Sequence, residues 1–225
     1  MSWSDWVRGA EIEPSIYAAD FSRLGAELGR LLDVGVRIFQ FDVGDGHFVP
    51  AITMGPVVLE SISPLCRERG AILDVHLMIE EPERQLEAFA GAGADSVTVH
   101  VEAVDDPGRA IALARGLGLA AGIAFSPETP VEAAARASRG ADVVLCMGVP
   151  PGYSGQRFIP ETLERVRRLR ELLPGDVHVQ VDGGVGPENV RELRDAGADL
   201  FVAGSAVFAE ADPPEAYRRL AAAVR

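Results

Sequence analysis

Three stretches of the sequence place acidic or imidazole side chains directly after short apolar runs. They are FQFDVGDGHFVP at 39–50, VHLM at 75–78 and VDGGVG at 181–186. One Asp-Gly pair alone is typical of a turn that satisfies its own backbone groups. Three polar strand ends in one sequence are harder to explain as turns alone. In α/β proteins the catalytic and ligand-binding residues lie at the carboxyl ends of the strands, so these stretches indicate a functional site.

The side chains at these strand ends suit a divalent metal. Asp42 and Asp182 offer carboxylate oxygens, His76 offers an imidazole nitrogen, and Gln40 lies two residues before Asp42. A mixed set of nitrogen and oxygen ligands is typical of metals such as Zn, Fe, Mn or Co. We therefore predict a metal site formed by four residues from three strands.

Each of these residues also has a purely structural interpretation. A lone His at a strand end is more often a hydrogen-bonded core residue than a ligand, and we assign His100 and His178 to that class. Only the convergence of several strand ends favours a site.

Glycine-rich segments follow the last three candidate strands. They are PGYSGQ at 151–156, DGGVG at 182–186 and AGSA at 203–206. Barrels frequently bind phosphate with the loops after strands 7 and 8 and a short helix, because glycines let backbone N–H groups approach an anion. We therefore predict a phosphate site here, with Ser205 in the first turn of the short helix.

The elements that must position these residues alternate as strand and helix. Apolar patterns predict eight strands, at 12–17, 37–42, 72–78, 96–100, 120–125, 142–147, 178–182 and 200–203. They predict helices at 21–34, 56–62, 82–92, 107–117, 131–138, 160–173, 188–196 and 213–224. Helix-ending glycines recur at 35, 93, 140 and 197, before every even-numbered strand. The pattern predicts one (β/α)8 TIM-barrel domain over 1–225, in preference to an open doubly wound sheet.

Composition restricts the class of protein. The chain is 48% hydrophobic, but no apolar run reaches the roughly 20 residues of a membrane span and the N-terminus lacks a secretion signal. We expect a soluble, cytoplasmic protein with reduced Cys66 and Cys146. The net charge of -13 argues against nucleic-acid and membrane partners. All 21 basic residues are Arg, which excludes lysine Schiff-base chemistry.

Long, ordered motifs make the chain resemble the ribulose-phosphate 3-epimerase family from Pro14 to Phe208. They are PSIYAADFSRLG, FDVGDGHFVP, LDVHLMIEEPE, GADSVTVHVEA, PGYSGQRFIP, VDGGVGPENV and AGADLFVAGSAVF. The resemblance implies a homo-oligomeric barrel of the ribulose-phosphate-binding type. It also implies interconversion of ribulose 5-phosphate and xylulose 5-phosphate with the help of a divalent metal.

The resemblance assigns roles by position. It makes Asp42 and Asp182 the two acid/base residues and, together with His76, the metal ligands. The residues we expect to bind substrate are Ser15, His76, Met78, Met147, Gly152, Ser154, Gly155, Gln156, Asp182, Gly183, Gly184, Gly204 and Ser205.

The chain departs from the family pattern near the first aspartate. Gln40 replaces a metal-binding His, Gly44 replaces a Met, Ala51 replaces an Asn, and PPGYSGQ replaces NPGFGGQ. Gln is a poorer ligand than imidazole for a borderline metal, so we expect weakened metal binding. Gly44 predicts a roomier substrate site, and it stands where related keto-gulonate-phosphate decarboxylases need a Lys. Epimerisation of another sugar phosphate, or sugar-phosphate binding with lost or altered catalysis, remain as alternatives.

Overall fold

Eight parallel strands form the centre of the computed structural model, which describes residues 3–153 and 155–225. They are β1 (Glu11–Pro14), β2 (Ile38–Gly44), β3 (Ile72–Met78), β4 (Ser96–His100), β5 (Ala120–Phe125), β6 (Val143–Met147), β7 (His178–Asp182) and β8 (Leu200–Ala203). Neighbours in sequence pair from β2 through to β8, β8 pairs with β1, and a bridge between Ser15 and Gln40 brings β1 beside β2. The result is the (β/α)8 barrel that the sequence predicts.

Helices connect the strands and cover the outside of the barrel. They are α1 (Trp3–Trp6), α2 (Leu24–Asp33), α3 (Pro56–Glu68), α4 (Leu86–Ala92), α5 (Pro107–Gly116), α6 (Val131–Ala137), α7 (Thr162–Leu172), α8 (Val190–Asp195), α9 (Ser205–Phe208) and α10 (Pro213–Ala223). The prediction that Ser205 opens a short helix is confirmed. Among the described residues, no helix is long and apolar enough to cross a membrane.

Several predicted boundaries differ from the structure, among them the end of β2, which continues to Gly44 instead of 42, and the start of α4, which lies at Leu86 instead of 82. Two of the differences have a clear physical reason. The first strand ends at Pro14 instead of 17, because Ser15 and Ile16 accept backbone hydrogen bonds from Ala18 and Ala19 in a 3-10 turn. Helix α3 continues past the predicted end at 62 and through a proline. Burial of its core-facing side chains outweighs the hydrogen bond that the proline removes.

The predicted internal repeat is confirmed by backbone conformation. The four glycines that precede the even-numbered strands all have positive φ: Gly35 at 92°, Gly93 at 104°, Gly140 at 86° and Gly197 at 107°. This left-handed conformation ends a helix and turns the chain back toward the barrel. The same glycine turn therefore connects a helix to the next strand at all four positions.

Alternation along the strands separates the outer core from the barrel interior. In β2, Phe39 and Phe41 pack into the large core between strands and helices, whereas Gln40 and Asp42 lie inside the barrel. Helix α1, which the sequence analysis did not predict, covers the amino ends of the strands, where Trp3 and Trp6 pack on Ile38 and its neighbours. Among the residues that the structure describes, α1 covers the amino ends of the strands and a cleft lies at their carboxyl ends.

Candidate active site

The carboxyl ends of β2, β3 and β7 bring three predicted residues together. The Nδ1 atom of His76 lies 3.1 Å from Oδ1 of Asp42 and 3.6 Å from Oδ2 of Asp182. His76 is fully buried and Asp42 is 5% exposed, while the Asp182 carboxylate is more open. One potential ligand atom from each residue lies within 4.8 Å of the other two, so the group could hold a metal ion.

Burial and the neighbouring charged groups shift the pKa values of Asp182 and His76. Burial raises the pKa of Asp182, and the negative charge of Asp42 raises it further. Burial by itself would lower the pKa of His76, but the contacts with Asp182 and Asp42 raise it to about 9. The site therefore carries more negative charge than its own imidazole can neutralise, which favours the uptake of a cation or a proton.

Two further side chains contact Asp42. The hydroxyl of Ser15 donates to Oδ2, and the Nε2 amide of Gln40 lies 3.3 Å from Oδ1. The Gln40 oxygen faces Nε2 of Gln180 at 3.5 Å. Gln40 therefore directs an N–H group at the site in this arrangement, and its oxygen reaches the metal-binding group only if the amide turns over.

A buried polar cluster that the sequence did not predict lies below the site. The Nε2 atom of Gln180 contacts Glu13 at 2.5 Å and Asp74 at 2.9 Å, and all three side chains are fully buried. Burial and mutual charge raise the pKa of Glu13, and burial raises that of Asp74 to about 6. The cluster is a layer of polar groups in the middle of the barrel.

Above the metal-binding group lies a cleft. Most of the residues that we predicted to bind substrate line it: Ser15, Met78, Met147, Gly152, Gly155, Asp182, Gly183, Gly184, Gly204 and Ser205. The predicted catalytic residue Asp42 lines it as well, whereas His76 does not, because its side chain is fully buried. Tyr17, Val149 and Tyr153 also line it but carry no sequence signal of their own. Gln156 does not, because its amide donates to the backbone oxygens of Pro150 and Tyr153. Ser154 lies outside the described residues.

The glycine turns leave backbone donors on one side of the cleft. In the part of the chain that the structure describes, the N–H groups of Gly184, Gly204 and Ser205 donate to no acceptor. Unpaired amide groups without side-chain cover are suitable partners for an anion. This arrangement is the one predicted for a phosphate group.

Gly44 does not make the site roomier, contrary to our expectation. A Cβ atom at this position would lie 2.6 Å from the Ala51 oxygen and 2.8 Å from a methyl group of Val49. The loop after β2 has folded back over Gly44 and taken the space that a side chain would occupy. The glycine therefore allows a close approach of two backbone segments.

His100, which we predict to be a hydrogen-bonded core residue, also contacts a residue of the metal-binding group. It is fully buried and hydrogen-bonded, as expected, but its Nε2 atom lies 2.9 Å from Nε2 of His76. Its Nδ1 atom lies 3.0 Å from Glu102. A His and a Glu two residues apart at a strand end are the sequence signal that could have identified the contact between His100 and Glu102. His178 lies at the opposite end of β7, beside Asp199.

Fold and site together define the class of protein. The chain is a (β/α)8 barrel in which two aspartates line a cleft bordered by glycine turns and a buried histidine lies beside both of them. Among solved structures, 3-hexulose-6-phosphate synthase from Salmonella typhimurium has the same fold, with a TM-score of 0.72 and 18% identity over 95% of this chain and 98% of that one. This likeness concerns the fold alone.

Sequence comparison gives the family. The profile described as the ribulose-phosphate 3 epimerase family matches residues 11–208. Ribulose-phosphate 3-epimerase of Escherichia coli strain K12 is 43% identical over 206 residues, which cover 89% of this chain and 90% of that protein. The enzyme of the same name from Synechocystis is 45% identical over 202 residues, or 88% and 86% of the two chains. The chain therefore belongs to the ribulose-phosphate 3-epimerase family and is an enzyme of the epimerase type.

Proposed function

We propose that the chain interconverts ribulose 5-phosphate and xylulose 5-phosphate, or a closely related pair of ketose phosphates, by moving the proton on C3. The observation that carries the proposal is the placement of Asp42 and Asp182. They lie at the ends of β2 and β7, line the same cleft and contact the same nitrogen of His76. An epimerase needs two such groups, because the proton leaves one face of the substrate and returns to the other.

The two aspartates divide the proton transfers. Asp42, a carboxylate held by the hydroxyl of Ser15, removes the C3 proton and leaves an enediolate. Asp182, whose pKa is raised by burial and by the charge of Asp42, carries the proton that is returned to the opposite face. In the reverse direction the roles are exchanged, since the acid and the base differ only in which one holds the proton.

The donor set fits a divalent metal such as Zn, Fe, Mn or Co. Asp42, His76 and Asp182 place three ligand atoms close together, and a cation would relieve the repulsion between the two carboxylates. Gln40 is a weaker fourth ligand, because its oxygen faces Gln180. When bound, the metal supplies Lewis-acid stabilisation of the negative charge that develops on the substrate.

The residues around the cleft position the substrate. The free N–H groups at Gly184, Gly204 and Ser205 hold the phosphate, supported by the neighbouring Gly155 and Gly183. Met78 and Met147 are buried in the cleft wall and form an apolar cap over the reacting carbons, which excludes water from the enediolate. Gly152 belongs to the same wall, and the amide of Gln156 holds the backbone at Pro150 and Tyr153.

We also infer that the chain forms a homo-oligomer in the cytoplasm, with one barrel domain per chain and without nucleic-acid or membrane partners. The net charge of -13 supports the absence of polyanionic partners. Ile52 and Val57, exposed by 82% and 79%, are large apolar side chains of the kind that a subunit contact covers.

The test is a reaction in D₂O with ribulose 5-phosphate and a divalent metal, followed by ¹H NMR. We expect deuterium at C3 together with the formation of xylulose 5-phosphate, and far weaker binding of free ribulose by calorimetry. Binding of the phosphate ester without any exchange at C3 would instead support the sugar-phosphate-binding barrel that has lost catalysis. Equal dissociation constants for ribulose and its phosphate would contradict the phosphate site.

A further inference from the structure

A chain of hydrogen-bonded side chains connects the metal-binding group with the end of β4. We call Glu102, His100 and His76 the histidine chain. The facing Nε2 atoms of the two imidazoles lie 2.9 Å apart, and Nδ1 of His100 lies 3.0 Å from Oε2 of Glu102. Both imidazoles are fully buried. Their planes differ by 22° and their centres are 5.0 Å apart, so the rings meet edge to edge through these nitrogens.

At the outer end of the histidine chain, the surrounding donors determine which group donates each hydrogen bond and which accepts it. Oε1 of Glu102 accepts a hydrogen bond from the backbone N–H of Ser126 at 2.8 Å and another from the hydroxyl of Thr129. Burial opposes ionisation of Glu102, but the hydrogen bonds from His100, Thr129 and Ser126 lower its pKa to about 2. An ionised carboxylate can only accept hydrogen bonds. The proton between Glu102 and His100 therefore belongs to Nδ1 of His100.

The position of the proton on His100 determines the position of the proton on His76. A neutral His100 that donates from Nδ1 has a lone pair on Nε2, so His76 must donate the proton that lies between the two Nε2 atoms. The other nitrogen of His76, Nδ1, is the one that faces Asp42 and Asp182. It is then the nitrogen available to a cation.

We propose that Glu102 and His100 are positioning residues that hold His76 with its proton on Nε2, so that Nδ1 is presented to a metal ion shared with Asp42 and Asp182. The inference rests on the metal site of the proposed function. Outer partners of this kind set the tautomer and the ring orientation of a metal-binding histidine. Here the outer partner of His76 is a second imidazole, His100, whose own tautomer is set by the carboxylate of Glu102.

Glu102→Gln tests the histidine chain with a nearly isosteric change. The donors of Ser126 and Thr129 require an acceptor, so the new amide oxygen takes the place of Oε1 and the amide N–H₂ faces His100. Nδ1 of His100 must then accept, its proton moves to Nε2, and His76 is left with its proton on Nδ1. The change therefore reverses the direction of every bond in the chain.

The first readout is taken on metal-free protein by ¹H–¹⁵N correlation of the histidine rings, at a pH above the pKa of His76 so that this imidazole is neutral. We expect His100 protonated on Nδ1 in the wild type and on Nε2 in Glu102→Gln. The second readout is the Zn²⁺ dissociation constant from competition with a chromophoric chelator, which we expect to rise about 10–100-fold in Glu102→Gln. Thr129→Val is the matched control, since it removes one donor and keeps the carboxylate. It should retain the wild-type tautomer and bind Zn²⁺ as the wild type does.

A wild-type His100 protonated on Nε2 would overturn the proposal, and this measurement decides it even where Glu102→Gln does not fold. An unchanged tautomer and unchanged Zn²⁺ affinity in a folded Glu102→Gln would overturn it as well. The tautomer is read without metal or substrate, so a chain that binds no Zn²⁺ or turns over no ketose phosphate would contradict the proposed function separately.

Discussion

The carboxylate of Asp42 has three polar side-chain partners at the candidate site. Ser15, Gln40 and His76 all contact its carboxylate, and each comes from a different position in the chain. The contacts hold one negative charge at the floor of the cleft in a fixed orientation. Replacing any one partner should therefore change what Asp42 can bind before it changes the fold.

Gln40→His tests the partner that departs from the family pattern. An imidazole is a better ligand than an amide for a borderline metal, so the variant should bind Zn²⁺ more tightly than the wild type. Competition with a chelator at constant pH measures the change. Gln40→Leu, which has similar size and no ligand atom, is the control. Equal Zn²⁺ affinity in the two variants would show that position 40 does not reach the metal.

The sequence predicts which side chains lie together at the candidate site, but it does not predict how they connect to the residues around them. Asp42, His76 and Asp182 could be identified because each follows an apolar strand and a barrel collects such ends. The contact between His76 and His100 depends on the geometry of β3 beside β4, where Val75 pairs with Val97 and the side chains inside the barrel approach each other. Spacing along the chain carries no signal for that approach.

At the scale of elements, β2 and the loop that follows it form one unit. The N–H of Thr53 donates to the oxygen of Gly44 at 3.1 Å, and its hydroxyl donates to the oxygen of Asp42 at 2.9 Å. The N–H of Gly46 donates to Ala51 at 3.1 Å. The loop thereby fixes the end of the strand that carries Asp42.

Gly44→Ala should loosen this unit. The new methyl group would overlap with the Ala51 oxygen and Val49, at an expected cost of about 1–3 kcal/mol in the free energy of unfolding. Denaturant unfolding measures the loss. Gly29→Ala in α2, where nothing lies within 4 Å of the added atom, is the control and should stabilise the helix by up to about 1 kcal/mol. A stable Gly44→Ala protein would mean that the loop can move away from β2.

At the scale of the whole molecule, the barrel carries buried charge in its centre. Glu13 and Asp74 are both fully buried, and one amide group of Gln180 serves both. One oxygen of each carboxyl group finds no hydrogen-bond partner among the described residues. Such a cluster costs stability, because the carboxyl groups give up hydration that a single amide does not replace.

Glu13→Gln should therefore stabilise the protein near neutral pH. The folded-state pKa of Glu13 lies above its ordinary value of 4.5, so its favourable contribution is complete below pH 4.5 and is lost as the pH rises through the folded pKa. We expect the variant to gain about 1–3 kcal/mol at pH 7.5 and much less at pH 4.5.

Thermal unfolding at the two pH values measures this difference. Glu11→Gln on the same strand is the control, because Glu11 pairs with Arg37 and its loss should not stabilise the protein. A Glu13→Gln protein that is less stable than the wild type at pH 7.5 would mean that the carboxylate is compensated in the folded state.

Much of the architecture follows from the sequence. The alternation of eight strands with helices, and the glycines that end four of the helices, are local patterns that need no knowledge of the packing. Helix α1 and the buried layer of Glu13, Asp74 and Gln180 could not be predicted in this way. The first is a short segment fixed by Trp3 in the barrel floor, and the second exists only when three distant strands face one another.

The most direct test of the central claim compares Asp182→Asn with the wild type on ribulose 5-phosphate in D₂O. If two aspartates share the reaction, an amide cannot return the proton, and formation of the C3 epimer should fall by about 10²–10⁴-fold while Asp42 still exchanges the C3 proton slowly. Asp195→Asn on the exposed face of α8 is the control and should keep full activity. Undiminished epimerisation by a folded Asp182→Asn protein would contradict the two-aspartate mechanism.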